Sequence, residues 1–279
     1  MAFSTINKSS LYQNNVLYTG NDSTQSITGV GFQPDVWWNK SRSGTHSAGV
    51  HCLYDAVRGV TKRIVPNSYD VESTVSGVTA FGADGVTLGS NNQSNGGSTN
   101  YVGWNWKANG AGSSNTDGTI TSTVSVNATA GISIVKYTGT GATPVTIGHG
   151  LGVVPKMILV KNLTTGSLNW VVYHASIGNA YGLYLDDSNA KVDNVDFWND
   201  TTPTDEVFTC SNSTKTNQGS ATHIAYCFAE VAGYSKFSSY VGNADADGTF
   251  VYTGFKPSWL MIKRTTVDNW MIMDNKRLG

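Results

Sequence analysis

The sequence predicts an all-β protein made of tandem antiparallel β-sandwich repeats. Two observations predict it: the residue composition, and a pattern of Tyr, Gly, Pro and apolar residues that recurs along the chain. Of the 279 residues, 31 are Gly and only 13% are charged, and the remaining polar residues are mostly Asn, Ser and Thr. Asn, Ser and Gly divert the backbone from helix, and Thr prefers the pleated surface of a sheet. The composition therefore favours strands and turns.

The low charge and moderate hydrophobicity argue against nucleic-acid binding and membrane insertion. The formal net charge is -1, so no basic surface is expected for nucleic acid or an acidic membrane. No apolar run approaches the ~20 residues that a membrane-spanning helix needs. The 3 cysteines cannot all pair and no C-x-x-C motif is present, so neither a disulfide framework nor a structural zinc site is expected. We expect a folded protein with no nucleic-acid partner and no membrane insertion.

The recurring pattern indicates duplicated units. Each copy runs Tyr-x-Gly, a polar turn, a short apolar segment, Gly, Pro and four mainly apolar residues, with Lys or Arg nearby. The copies begin at Tyr18, Tyr137 and Tyr240, and their shared prolines are Pro34, Pro155 and Pro257.

A second block supports the duplication. "YVGWNWKA" from Tyr101 aligns with "HIAYCFAE" from His223, at nearly the same distance from the shared Pro in the first and second copies. These blocks predict two complete units, at residues 1–125 and 126–234, and a partial third unit at 235–279. The predicted boundary is the stretch 109–125, which has almost no large apolar residue. Because the third copy has no counterpart of this closing block, we expect the sequence to be a fragment of a longer chain.

Each unit is predicted to consist of strands. "VWW", "MILV" and "WLMI" are short continuous apolar runs after the shared Pro, which is typical of strands buried on both faces. In the closing block the large apolar residues alternate with period two, so they share one face of a strand. These residues are Val102, Trp104 and Trp106 in the first copy, and Ile224, Tyr226 and Phe228 in the second.

No arrangement of residues predicts catalysis. Only three glutamates are present, and the aspartates are scattered among turns without a paired carboxylate partner of the kind that glycan hydrolases use. No His occurs at metal-ligand spacing, and no Ser or Cys occurs in a nucleophile motif. "NADADG" from Asn243 resembles the opening of a calcium loop, but Gly254 stands where the bidentate Glu is required, so a polar turn is favoured. We predict no catalytic residue, no metal site, no cofactor and no enzymatic activity.

Two further details concern the corners of the units. "YDAVRG" from Tyr54 recurs as "MDNKRLG" from Met273, and an Asp three residues before an Arg can form a charged hydrogen bond that fixes a turn. His51 stands where the other copies have Trp170 and Trp270, so we expect the first corner to pack differently.

These motifs, together with "NWVVYH" from Asn169 and "DNWMIMDNKRLG" from Asp268, resemble a repeat found in tail-fibre-like proteins of aquatic, especially marine, bacteriophages. The resemblance covers nearly the whole chain. It implies a virion protein that is made in the host cytoplasm and has other virion proteins as partners. It brings no established catalytic or binding residue. Phage fibres usually trimerise, so the resemblance also implies a homotrimer, although no heptad stalk is present to enforce one.

The function expected from the sequence is that of a non-enzymatic phage structural protein, a fibre or appendage that contributes to attachment to host-surface glycans. Uncharged Asn, Ser and Thr on a rigid β scaffold suit weak saccharide contacts that are multiplied by copy number. Two alternatives stay open. One is a capsid-bound decoration or head-fibre protein, and the other is a depolymerase of host glycans.

The candidate glycan-binding residues lie in two loops. The loop 89–100 is rich in amides and has no length-matched, similarly amide-rich partner in the second unit. Its Asn91, Asn92, Asn95 and Asn100 could offer paired donors and acceptors to a saccharide. Trp198 lies in the acidic stretch 186–200, where an exposed ring could stack on a sugar face. The alternative is that these loops differ only because nothing constrains them.

Overall fold

The computed structural model describes residues 4–46 and 49–277. Almost all of the regular structure in these ranges is β, and every strand pairing within the sheets is antiparallel. The all-β, antiparallel fold class predicted from the sequence is confirmed. Helix is confined to a short 3-10 turn at Ser9–Leu11 and to α1 (Asn92–Asn95), α2 (Val195–Trp198) and α3 (Thr214–Asn217).

The strands of the described ranges are, in chain order, β1 (Gln13–Thr19), β2 (Gln25–Ile27), β3 (Val36–Ser43), β4 (His51–Asp55), β5 (Lys62–Arg63), β6 (Ser73–Thr74), β7 (Val78–Gly82), β8 (Gly85–Leu88), β9 (Asn100–Trp106), β10 (Ser113–Asn115), β11 (Ser122–Asn127), β12 (Ile132–Thr138), β13 (Val145–Gly148), β14 (Met157–Asn162), β15 (Val171–His174), β16 (Tyr181–Tyr184), β17 (Val192–Asp193), β18 (Val207–Cys210), β19 (Thr222–Phe228), β20 (Trp259–Ile262) and β21 (Met271–Asp274).

Two large sheets have the same internal order. The first is β1-β9-β3-β4, and the second contains β12-β19-β14-β15 within the longer order β10-β11-β12-β19-β14-β15-β16-β17. The registers also correspond, because Val36 lies opposite Trp106 in the first sheet and Met157 lies opposite Phe228 in the second. The two blocks aligned in the sequence are therefore equivalent strands in equivalent sheets.

A smaller sheet covers one face of each large sheet. In the first sandwich the order β2-β8-β7 lies over β1, β3 and β4, and Trp37, Tyr54 and Leu88 are fully buried between the layers. Trp37 lies so close to β9 that a Cβ at Gly103 would come within 2.9 Å of its ring. In the second sandwich, β13 and β18 cover the equivalent face of the second sheet.

The other faces of the two large sheets pack directly against each other. The alternating residues of β9 and β19 line this central core, as the period-two pattern predicted. Trp104 and Trp170 are fully buried there. The β20–β21 hairpin adds Trp259 and Trp270, which are partly buried against the same core. A layered stack results, in which one hydrophobic core joins both sandwiches and the C-terminal hairpin.

Hydrogen bonds from the closing strands cross this core. The Tyr226 hydroxyl on β19 donates to Asp55 Oδ2 at the end of β4 at 2.5 Å. Trp104 Nε1 on β9 donates to Asp274 Oδ2 at the end of β21 at 2.9 Å. Each predicted Asp–Arg turn is present, with Nε of Arg58 and of Arg277 bonded to its own Asp at 2.5 Å.

One expectation about an individual segment is wrong. "WLMI" is not buried on both faces, because Leu260 remains 38% exposed. The predicted boundary stretch 109–125 contains β10 and the start of β11, which pair into the second sheet. The second sheet therefore starts before residue 126, and the division of the chain at that point stays a prediction.

We expect Tyr226→Phe to lower the free energy of unfolding by about 2 kcal/mol, because it removes a hydrogen bond to a buried carboxylate. Tyr173→Phe is the matched control. Tyr173 is 3% exposed on β15 of the same sheet, and its hydroxyl has no hydrogen bond within the described residues. Urea denaturation of both variants measures the difference. Equal losses of stability would contradict a specific role for the Tyr226 hydroxyl.

Candidate functional site

The loop 89–100 forms a polar surface at one end of the first sandwich. It carries the short helix α1 and packs against the turn that follows β1 and the end of β3. The Asp22 carboxylate accepts the N–H of Gly97 at 2.7 Å, and Asn100 Nδ2 donates to Ser43 Oγ at 3.0 Å. The loop is therefore fixed to its neighbours by polar contacts.

Asn95 is the buried anchor of this loop and is not exposed to a ligand. Its side chain is fully buried, and Nδ2 donates to Ser23 O at 2.5 Å and to Gly89 O at 2.7 Å. Its Oδ1 accepts from Gln25 Nε2 and from the N–H of Asn21. Because the Asn95 side chain is fully buried and its amide is bonded within the protein, the expectation that Asn95 contacts a saccharide is wrong.

The second sandwich contains an equivalent loop. Asn217 ends α3 as Asn95 ends α1, and its Nδ2 donates to Ala142 O at 2.7 Å and Ser211 O at 3.1 Å. The preceding contact recurs as well, because the Tyr18 hydroxyl donates to Ser94 O and the Tyr137 hydroxyl to Thr216 O. The loop 89–100 therefore has a length-matched partner at 211–222, although that partner contains fewer amides. Composition hid the match, because only Asn95, Gly97 and Ser98 recur, as Asn217, Gly219 and Ser220.

The other three asparagines of the loop differ in accessibility. Asn92 and Asn100 are exposed. Asn91 is half-buried, and its Oδ1 lies in the interior without a hydrogen-bond partner among the described residues. Asn92 and Asn100 are thus the predicted site residues that remain accessible, and their role in glycan binding stays a prediction.

Trp198 is a core residue of the second sandwich. It is 2% exposed, its Nε1 donates to Tyr181 O at 3.2 Å, and its ring meets Tyr173 edge-on with 5.9 Å between centroids. The cause is α2, which Asn194 caps by accepting the Asp196 N–H at 2.9 Å, and which turns Trp198 inward. The expectation of an exposed ring for sugar stacking is wrong.

A cleft of about 340 Å³ lies between the first sheet and the β20–β21 hairpin, and we call it the hairpin cleft. Its walls combine aromatic and polar side chains, and its charged groups come from both sides. The residues that define it are Trp38, Lys40, His51, Trp104, Trp270 and Arg277, with the loop 185–188 at its rim. Sequence reasoning found only one signal for this site, the replacement of Trp by His at position 51.

His51 is neutral in the hairpin cleft. Trp38 Nε1 donates to His51 Nδ1 at 2.9 Å, which leaves the ring proton on Nε2. Burial lowers the pKa of His51 to about 3, and the positive charges of Lys40 and Arg277 act in the same direction. Burial also lowers the pKa of Lys40, again with help from Arg277. The Arg277 guanidinium lies over the Trp104 ring, 5.2 Å from its centroid.

The residues equivalent to His51 and Lys40 in the second sheet and in the hairpin are Trp and Lys, and both donate hydrogen bonds to backbone carbonyls. In the second sheet, Trp170 Nε1 donates to Val65 O at 3.1 Å, and Lys161 Nζ donates to Tyr69 O at 3.0 Å. In the hairpin, Trp270 Nε1 donates to Tyr184 O and Lys263 Nζ to Ser188 O. His51 Nε2 and Lys40 Nζ make no such bond to the described residues. The hairpin cleft therefore presents donors suited to carbonyl or hydroxyl oxygens.

The acidic groups near the cleft serve local structure. Asp186 Oδ1 accepts the N–H of Trp170 at 3.2 Å, as Asn67 Oδ1 accepts the N–H of His51 at 3.0 Å. Burial raises the pKa of Asp186.

The predicted polar turn at 243–248 is exposed, and Asn243 and Asp245 accept backbone N–H groups within it.

Within residues 4–46 and 49–277, no group of three or more His, Cys, Asp or Glu side chains lies close enough to hold a metal ion. None of the helices in these ranges has the length and apolar content that a membrane span requires.

Residues 8–279 match the model of a family described as a domain of unknown function, DUF7483, and the chain belongs to that family. No curated protein and no solved structure matches the chain significantly.

We expect Asn95→Ala to lower the free energy of unfolding by about 3 kcal/mol, because it leaves several buried donors and acceptors without partners. Asn92→Ala, an exposed asparagine of the same short helix, serves as the matched control and should change stability by less than ~0.5 kcal/mol. Chemical denaturation measures both. An Asn95→Ala protein as stable as the control would show that the loop does not depend on this anchor.

We expect the free energy of unfolding to decrease as the pH is lowered below about 6.5, in part because of His51. The unfolded state binds a proton near pH 6.5, whereas the folded state excludes it until about pH 3, so stability rises with pH between these values. In His51→Gln, whose side-chain oxygen can still accept from Trp38, the slope between pH 4 and 6 should be smaller by about 1 kcal/mol per pH unit. Unfolding free energies of both proteins measured across this range test the prediction. Parallel slopes would contradict it.

Proposed function

We propose that this chain is a non-enzymatic structural protein of a bacteriophage particle, part of a fibre or appendage that contributes to attachment to host-surface glycans. The observation that carries the proposal is the fixed, polar loop surface at the end of the first sandwich. Buried Asn95 holds the loop in place while Asn92 and Asn100 remain exposed. The resemblance of the repeated motifs to tail-fibre-like phage proteins supports the same function.

The β framework suits this role physically. The loop is bound through buried hydrogen bonds to strands of a large sheet, so binding a ligand orders few additional residues. Exposed amides offer both donors and acceptors to saccharide hydroxyls. Weak contacts of this kind become effective when many copies act together, and we propose a homotrimer as the assembled form.

A capsid-bound decoration or head-fibre protein is the second candidate, because the same fold and surface suit either location. Electron microscopy of particles labelled through this protein distinguishes the tail from the capsid. A glycan depolymerase is less supported. Asp186, the half-buried acid beside the hairpin cleft, already accepts the backbone N–H of Trp170. Release of reducing ends from host polysaccharide by the purified protein would favour the depolymerase.

We expect the double variant Asn92→Ala/Asn100→Ala to reduce adsorption of the labelled protein to host cells at least several-fold, because it removes the exposed amides from a folded loop. The matched control is Thr214→Ala/Thr222→Ala, which changes the equivalent positions of the second sandwich. Circular dichroism verifies the fold of both variants. If both adsorb like the wild type, this loop is not the receptor-binding surface.

A further inference from the structure

The β20–β21 hairpin repeats the pairing of β3–β4 and β14–β15. Trp259 lies opposite Asp274 as Val36 lies opposite Asp55. The other edge of β20 has no strand partner among the described residues, whereas β3 has β9 and β14 has β19 at that edge. The backbone N–H of the residue just before β20 also differs from its equivalents in the first two sheets.

In the first two sheets, this N–H is bonded to the closing strand. Asp35 donates its N–H to Trp106 O at 2.9 Å, and Lys156 donates its N–H to Phe228 O at 2.7 Å. The equivalent N–H of Ser258 has no acceptor within the described residues. Unpaired backbone groups along the edge of a sheet form a template for another strand, so this edge favours a partner strand.

The outer face of the hairpin is apolar and exposed. Leu260, Met271 and Met273 are 38%, 57% and 44% exposed. The residues at the corresponding positions of the first sheet are Trp37, Cys52 and Tyr54, which are fully buried under its small sheet. A neighbouring layer is therefore expected over this face as well.

Residues 236–242, which precede the hairpin, correspond to β1 in the repeat, and they form no strand. Phe237 contacts Phe228 and His174, with ring centroids 6.3 and 6.4 Å away. Its counterpart in β1 is Asn15, whose Nδ2 donates to the hairpin at Ser258 O. Tyr240 and Val241 are 49% and 86% exposed. In the first sheet, β9 separates β1 from β3, so a closing strand is expected between the segment equivalent to β1 and β20.

His174 offers a matching donor. Its Nδ1 accepts the N–H of Ser176 at 3.1 Å, as Asp55 Oδ1 accepts the N–H of Arg58 at 2.8 Å. The other oxygen of Asp55, Oδ2, accepts a hydrogen bond from the Tyr226 hydroxyl. His174 Nε2, which carries the ring proton in this tautomer, has no partner among the described residues. The side chain that completes this corner must accept a hydrogen bond.

We propose that the free edge of β20 is a strand-binding site, which takes an extended segment with the alternating pattern of β9 and β19 in antiparallel pairing. The registers of the first two sheets fix the alignment. An aromatic side chain lies opposite Trp259, a side chain that accepts a hydrogen bond from His174 lies opposite Met261, and an aliphatic side chain lies opposite Lys263. Backbone hydrogen bonds to the edge supply affinity, and the alternate side chains entering the core supply specificity.

The probe is a synthetic peptide with the sequence of residues 221–230, Cys227 replaced by Ser, added to the full chain. Tyr226 of this peptide supplies a hydroxyl that can accept from His174. We expect saturable binding, with the backbone amides of residues 258–263 becoming protected from hydrogen exchange. A control peptide in which Ile224, Tyr226 and Phe228 are all replaced by Ser keeps the length but loses the pattern, and should bind at least tenfold more weakly.

Three outcomes would overturn the proposal. The first is equal binding of the two peptides. The second is peptide binding without protection of residues 258–263. The third is protection of these amides that increases with protein concentration in the absence of peptide, which would show that a second copy of this chain covers the edge.

A protein variant gives an independent measurement: His174→Phe, which removes the donor, should weaken binding of the Tyr226 peptide at least threefold. An unchanged affinity in this variant would refute the predicted alignment.

Discussion

The burial of the inner faces of the two large sheets against each other is the constraint on which the rest of the structure depends. Each sandwich has its own small covering sheet, whereas the residues that alternate along β9 and β19 pack against the neighbouring large sheet and the hairpin. Burial of Trp104, Trp170 and Tyr226 removes large apolar surfaces from water, each contributing about 2–3 kcal/mol. The two sandwiches are therefore expected to be stable together rather than as independent units.

Polar groups in this core determine how the sheets are aligned. The Asp55 and Arg58 side chains are 0% and 2% exposed, which would be costly for isolated charges. Burial by itself lowers the pKa of Arg58, but Asp55, Tyr226 and Glu72 outweigh it and hold the pKa above its ordinary value. Each guanidinium nitrogen of Arg58 donates within the first sandwich, and Asp55 also accepts from Tyr226 of the second sheet. A shift of one sheet across the other would therefore leave the buried Tyr226 hydroxyl without its partner.

The same contacts recur between successive parts of the chain. Trp170 Nε1 of the second sheet donates to Val65 O, and the equivalent Trp270 Nε1 of the hairpin donates to Tyr184 O. The donation from Trp104 to Asp274 then connects the first sheet back to the hairpin, so the three elements contact one another in a cycle. The hairpin cleft and the free edge of β20 both lie in this cycle at positions where the described residues provide no partner. The hairpin cleft and the free edge thus have a common structural origin.

The sequence by itself determined the features that depend on local periodicity. Alternation in the closing strands, the shared prolines and the Asp–Arg spacing each constrain a few neighbouring residues, so the β class, the inward faces of Trp104 and Tyr226, and the charged turns could be predicted. Contacts between distant segments were decided only by the tertiary structure. Trp198 lies in a polar stretch, yet a short capped helix places it in the core, and Asn95 becomes an anchor because the turn after β1 surrounds it. Composition describes what a residue can do, whereas burial and hydrogen-bond partners depend on segments that the local sequence does not contain.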